Sequence, residues 1–392
     1  MTPSSAVRYL SLFCWPIAAF AVDPFATHNP AHFADEQAAY LDASLFLGND
    51  VIPVKTLLSG DKWKDDYTPK DGKNLAVASA RVESGVAWHS LRIGYVARQE
   101  WSVRAQRDTL DIYRASQLKQ NFPTGMQKIQ YELEGWSAQG MQLGGAWRKP
   151  LGDGNWKLDF GLSLSLLKGD RLRRENWQGS VNPIGNDVLV TNASVTRDFD
   201  QMDKDLLRNP MSLPGSTTGS GYALDLGFSV GREDGWRLDW AVADALGALS
   251  WKNVPSETLS TTDYIICQTL DAACSAAKLN PAYADLAGGT SPKNRDFSLH
   301  LKPKHMLTLS APVNQAFVEL GDSYRDGEHF PRIAVRQHLR DGWGTRVDYD
   351  FRMRSVGLAL AHRWLYMNYQ TDSLSPDKAK VIALGVGARI PF

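Results

Sequence analysis

From about residue 74 onwards, apolar and polar residues alternate with a period of two. The clearest stretch follows a Gly152-Asp153-Gly154 turn: Trp156, Leu158, Phe160, Leu162, Leu164 and Leu166 alternate with Lys157, Asp159, Gly161, Ser163 and Ser165. Side chains of a strand point to opposite faces in turn, whereas a helix would repeat its apolar positions every three or four residues. The pattern therefore predicts a strand with one greasy face and one polar or small face. Residues 222–230 repeat it, with Leu224, Leu226 and Phe228 opposed by Asp225, Gly227 and Ser229, and so do 236–242 after another tight turn at Gly235. Such pairs are hairpins.

The same reading predicts strands over 74–88, 90–105, 128–148, 297–301, 305–311, 315–321, 331–339, 343–353, 356–370 and 379–392. A first strand is expected over 40–47, although Asp35-Glu36-Gln37-Ala38-Ala39 could equally open a helix. The set amounts to about fourteen strands, within a range of 12 to 16. Short turns alternate with longer connections near 107–125, 168–220 and 252–295. Trp147, Trp156 and Trp236 lie beside the short turns, as in an interfacial aromatic girdle. In the last stretch Ile382, Leu384, Val386, Ala388 and Ile390 share one face and lead to Phe392.

Residues 1–21 carry one charge, Arg8, then an apolar run closing on Ala19-Phe20-Ala21, which reads as a secretory signal with its cleavage site. The run is shorter than the roughly 20 apolar residues that span a bilayer. No later segment is apolar enough for a spanning helix, so a membrane-embedded mature chain has to be a closed barrel, which satisfies its backbone groups internally. The expected organisation is a signal over 1–21, a periplasmic lead or plug over 22–38 and a transmembrane antiparallel up-and-down β-barrel over 39–392. The competing architecture is a soluble exported β protein, in which every greasy face needs a partner sheet.

Charge adds little to this picture. The chain has 43 basic and 43 acidic residues, and losing Arg8 leaves one negative charge in excess. That balance gives no general attraction for nucleic acid. Cys267 and Cys274, in an exported chain, are expected to form a local disulfide.

The polar parity holds the candidate lumen residues: Arg92, Arg98, Glu132, Glu134, Lys157, Asp159, Asp225, Arg237, Asp239, Arg346, Asp348, Asp350 and Arg352. They make either a charge-lined pore or a set of neutralising ladders that hold strands in register. Lys168, Arg171, Arg173 and Arg174 cluster where the strongest strand leaves the membrane. They are either a lipopolysaccharide phosphate site, through charge-assisted hydrogen bonds, or a solvated loop. The acidic run of Asp198, Asp200, Asp203 and Asp205 lacks the glycine and closing glutamate of a calcium loop. No metal site, cofactor motif or catalytic dyad is expected: the adjacent His89 and Ser90 would point to opposite faces of a strand.

With its signal sequence, amphipathic hairpins and terminal Phe392, the chain resembles the bacterial outer-membrane β-barrels. In its last hundred residues, including Arg346-Val347-Asp348-Tyr349-Asp350 and Thr371-Asp372-Ser373-Leu374, it is similar to uncharacterised barrels of the conjugal-transfer-associated or fatty-acid-transporter-like kind. The resemblance implies the cell outer membrane of a Gram-negative bacterium, contact with outer-membrane lipid and lipopolysaccharide, and insertion by the barrel-assembly machinery. The expected function is non-enzymatic passage or export of a solute or polymer through a polar lumen. The alternatives are a plugged structural or assembly barrel presenting its loops to a surface or periplasmic protein and, further off, a lipid-modifying outer-membrane enzyme.

Overall fold

The computed structural model describes residues 29–392 apart from 60–62, 65, 119, 153–154, 185–186, 200–218, 262–263 and 268–292. The proposed signal over 1–21, the acidic residues from Asp200 to Asp205 and the Cys267–Cys274 pairing lie outside the described residues.

One antiparallel sheet closes on itself. Its elements are β1 (Glu36–Asn49), β2 (Lys73–His89), β3 (Leu91–Gln106), β4 (Gln127–Leu151), β5 (Trp156–Ile184), β6 (Asp187–Phe199), β7 (Gly219–Arg232), β8 (Arg237–Thr261) and β9 (Tyr264–Cys267). The chain continues through β10 (Lys293–His300), β11 (Lys304–Val313), β12 (Ala316–Arg325), β13 (Glu328–His338), β14 (Trp343–Asp350), β15 (Ser355–His362), β16 (Leu365–Thr371) and β17 (Val381–Pro391). Closure comes from β1, which pairs with β2 on one side and β17 on the other.

The wall is fourteen strands around. Three of its positions are each filled by a pair of segments, one of them β8 and β9, which pair with β6 in succession. β10 and β11 both pair with β8, above and below a break at 301–303, and so form one interrupted strand. β6 stands above β7 between β5 and β8. The expected number is thus reached by a different partition. Residues 297–301 and 305–311, expected as two wall strands, share one position, while 356–370, expected as one, is a hairpin turning at Arg363-Trp364.

Two further expectations are corrected. Residues 35–39 open no helix; Asp35, at φ 63, turns the chain directly into β1. The stretches after Lys168 and Lys252, expected as loops, begin as strand, because β5 runs to Ile184 and β8 to Thr261.

Outward positions carry the apolar band. Val356, Leu358 and Leu360 on β15, Leu365, Met367 and Tyr369 on β16, and Leu384, Val386 and Ile390 on β17 are all exposed or nearly so. A continuous exposed apolar belt on a closed barrel is the surface that lipid covers. At the end bearing the short turns, Trp88, Trp147, Trp156, Trp236, Trp343, Trp364 and Phe392 form an exposed aromatic ring, and Trp88 lies 6.0 Å from Phe392. At the opposite end, helices α1 (Val54–Ser59) and α2 (Arg107–Leu118) and the chain between β1 and β2 pack on the outside of β1–β4. There Val51, Ile52 and Val54 cover Leu47, Trp101, Ala105 and Leu133, which face outward but are buried.

Candidate functional site

The lumen is filled in three layers. At the short-turn end, residues 29–35 fold back inside the wall. A 3-10 turn at Pro30–Phe33 is capped by Asn29, whose Oδ1 accepts the Ala31 N–H at 3.0 Å, while its Nδ2 donates to the Phe228 carbonyl. The segment rests on Gly161 and Gly227. A Cβ at Gly161 would lie 2.2 Å from the Pro30 carbonyl carbon, and one at Gly227 would lie 2.1 Å from Asn29 Oδ1. His32 Nε2 pairs with Asp239 Oδ1 at 2.8 Å. Phe33 is flanked by two guanidinium groups, Arg92 at 4.1 Å and Arg389 at 4.7 Å from its ring centre.

The middle layer is ionic. Arg92 donates to Tyr40 Oη and to Glu83, both at 2.7 Å. Arg81 bridges Glu83 and Asp225, the latter at 3.3 Å. Arg98 grips Asp244 with two nitrogens, at 2.7 and 2.6 Å, and Lys304 donates to both Asp244 and Glu100. Three of these contacts join strands that are not neighbours in the wall: Arg81–Asp225 from β2 to β7, Arg98–Asp244 from β3 to β8 and Lys304–Glu100 from β11 to β3. The pairs span the lumen.

The layer towards the long-loop end is apolar on two sides. Val96, Trp136, Leu172, Leu249, Trp251 and Phe297 pack together on one side, and Phe46, Val77, Phe330 and Met353 on the other. This corrects the expectation of a lumen that is polar throughout. Between the clusters, a gap lined by Glu100, Glu134, Lys302, Lys304 and Arg325 measures about 20 Å³. That volume accommodates a water molecule and no larger solute.

Most expected lumen residues are placed on this inner face, though in different roles. Arg92, Arg98 and Asp225 belong to the crossing network. Asp159 takes Arg148 from the neighbouring strand, and Arg237 pairs with Asp239. Glu134 takes Lys302 at 3.0 Å, and Glu132 lies beside Gln130. Arg346 pairs with Asp348 and with Glu319, which also holds Arg336. Three do not line the lumen proper. Lys157 is exposed at the rim and pairs with Glu233 across a short turn. Asp350 ends β14 and accepts the Met353 N–H, while Arg352 lies in the turn that follows and grips Asp50 at 2.7 and 3.0 Å.

The four basic residues expected to bind lipopolysaccharide do not form one patch. Lys168, Arg171 and Arg174 are exposed, but Arg173 is 2% exposed and paired with Glu175, and Arg174 lies beside the Phe297 ring.

Sequence reasoning missed Tyr40, Arg81, Glu83, Glu100, Asp244 and Lys304. Arg81, Glu83 and Glu100 carried a usable signal, since each is two residues from another charge of the same parity. Asp244 carried none. It sits at φ 55 in a bulge where Ala243, Asp244 and Ala245 stand opposite Asp225, whose carboxylate accepts the Asp244 N–H at 2.9 Å.

Beyond the strand ends, Asp50 is the electrostatic centre of the loop between β1 and β2. Burial alone would raise its pKa, but hydrogen bonds from Arg352 and Lys70, with the Leu75 N–H, hold it below the ordinary carboxylate value.

No protein-family model matches the chain, and no curated protein matches it by sequence. Among solved structures it is similar to a mutant of the TodX monoaromatic hydrocarbon channel, at 10% identity over 93% of each chain with a TM-score of 0.42. It is also similar to a FadL homologue of Pseudomonas aeruginosa, at 10% identity over 95% of each chain with a TM-score of 0.23. A third is the translocator domain of the autotransporter NalP from Neisseria meningitidis, at 11% identity over 92% of this chain and 90% of that one, with a TM-score of 0.24.

Proposed function

We propose that the protein is a non-enzymatic outer-membrane transport barrel that is closed at rest and opens when residues 29–35 leave its periplasmic mouth. The short-turn end, with its tryptophan ring, is read as periplasmic, and the end with the longer connections as the cell surface. The observation that carries the reading is how the segment is seated. It touches the wall through two glycines, the Asn29 side-chain bond to the Phe228 carbonyl, the His32–Asp239 and Asp35–Arg148 pairs and one stacked phenylalanine, all reversible contacts, and no strand of the barrel depends on it for pairing.

A second reading, the plugged scaffold, is favoured by the Arg98–Asp244 and Lys304–Glu100 braces, which cross the lumen independently of the segment. Conductance of the refolded protein in planar bilayers separates the two. The wild type is expected to be silent for most of the record, and a variant lacking residues 29–35 to show steady unitary currents. Silence from that variant, with its heat-modifiable gel mobility intact, sinks the transport reading and leaves the scaffold.

A further inference from the structure

The wall of the barrel is uneven in height. β4, β5 and β8 run for 25, 29 and 25 residues, whereas β11 to β17 run for 7 to 11. The excess lies at the long-loop end, where the upper parts of β4 and β5, β6 and the upper part of β8 continue as one sheet. Gln178 is roughly 40 Å along β5 beyond Leu166, the last outward leucine of the apolar band on that strand. The lumen-side face of this sheet therefore stands above the shorter wall.

Two cross-strand rows of that face are polar and uncharged. In one, Gln130 stands opposite Gln178 and Gln178 opposite Ser194; in the next, Asn176 stands opposite Thr196 and Thr196 opposite Thr258. Gln178, Ser194 and Thr258 are exposed, and the other three are half-buried. Among the described side chains, charge on this face stands only at the margins: Lys128 above, Glu132 at one end, and Arg174 and Lys293 beneath. The six groups have hydrogen-bonding capacity to spare. Their amides make only long bonds, Gln178 to Asn176 and Gln130 to Glu132 at 3.4 Å and Gln106 to Gln130 at 3.3 Å. Ser194, Thr196 and Thr258 make no side-chain hydrogen bond among the described residues.

We infer that this face docks a neutral sugar chain from the medium. Hydroxyl and primary amide groups each donate and accept, as sugar hydroxyls do, and they carry no charge whose desolvation a neutral ligand would leave uncompensated. A chain laid across the strands meets a new side chain about every 5 Å, close to the length of one sugar unit, and a second row lies about 7 Å away. Other partners fit less well. A protein interface would need apolar anchors at its centre, and a nucleic acid would need a basic stripe, whereas the marginal charges are of both signs. The face lies above the lumen, and its ligand is independent of whether the barrel conducts.

Calorimetric titration of the refolded full-length barrel, in a detergent without a sugar head, with cellohexaose, maltohexaose and chitohexaose tests the inference. At least one of the three is expected to bind saturably, with an affinity that holds between about 0.1 and 1 M salt because no ion pair is involved. The double variant Thr196→Val, Thr258→Val removes two hydroxyls while keeping the side-chain shape, and should weaken that binding about fivefold or more. Thr196→Ser, Thr258→Ser keeps the hydroxyls and should bind as the wild type does, which separates loss of the site from loss of the sheet. The proposal is overturned if none of the three sugars binds, if the affinity collapses at high salt, or if the valine variant binds as tightly as the wild type.

Discussion

At the scale of single residues, the lumen is governed by the cost of burying charge. Arg98 and Asp244 are both almost fully buried, with side-chain exposures of 2% and 0%, and each is tolerable there because it is paired, chiefly with the other and also with Glu100 and Lys304 respectively. Breaking such a pair from one side strands the remaining charge, which costs about 3–5 kcal/mol. Arg98→Ala and Asp244→Ala are each expected to lower the barrel's stability by that order in urea titrations followed by gel mobility. The double variant should lose clearly less than the two losses added together, since neither charge is then left alone. Arg98 was legible from sequence, because strict alternation placed it inward. Asp244 was not, because a bulge moves it out of step and only the folded register brings it to Arg98.

At the scale of elements, one carboxylate ties the loop between β1 and β2 to the turn between β14 and β15. Asp50 receives Arg352, Lys70 and the Leu75 N–H, with 3% of its side chain exposed. Its folded-state pKa lies below the unfolded one, so this stabilisation is complete above the unfolded value and is lost as pH falls through the folded value. Tryptophan fluorescence at Trp63, which packs in this loop, should therefore hold constant down to about pH 4 and change at lower pH. In Asp50→Asn the change should already be present at neutral pH and show no acid step. A step of equal size in both proteins would assign the transition to another group. The packing of this loop on the outside of β1–β4 had no signature in the periodicity, since Trp101 and Leu133 lie within the strands expected over 90–105 and 128–148 and nothing in the alternation sets them apart.

At the scale of the whole molecule, the two ends differ in chemistry, and the proposed orientation rests on that difference. Tryptophans and Phe392 ring the short-turn end, and the packed helices lie at the other. A membrane-impermeant maleimide applied to intact cells is expected to label Leu374→Cys, which is 99% exposed in the β16–β17 loop, well above the background of native cysteines. It should leave Gln315→Cys, in the β11–β12 turn, at that background. The reverse pattern would invert the barrel and place the segment 29–35 at the cell surface.

The sequence by itself determined the class of fold, most strand positions and which face of each strand meets lipid. Period-two alternation is a local property of neighbouring residues, and a single strand displays it without reference to its partners. Tertiary structure alone decided what fills the lumen. Whether an inward arginine lines water, pairs with its neighbour or reaches an aspartate across the barrel depends on closure, which brings β3 opposite β8. The same holds for the stopper at 29–35, seated on glycines more than 125 residues away.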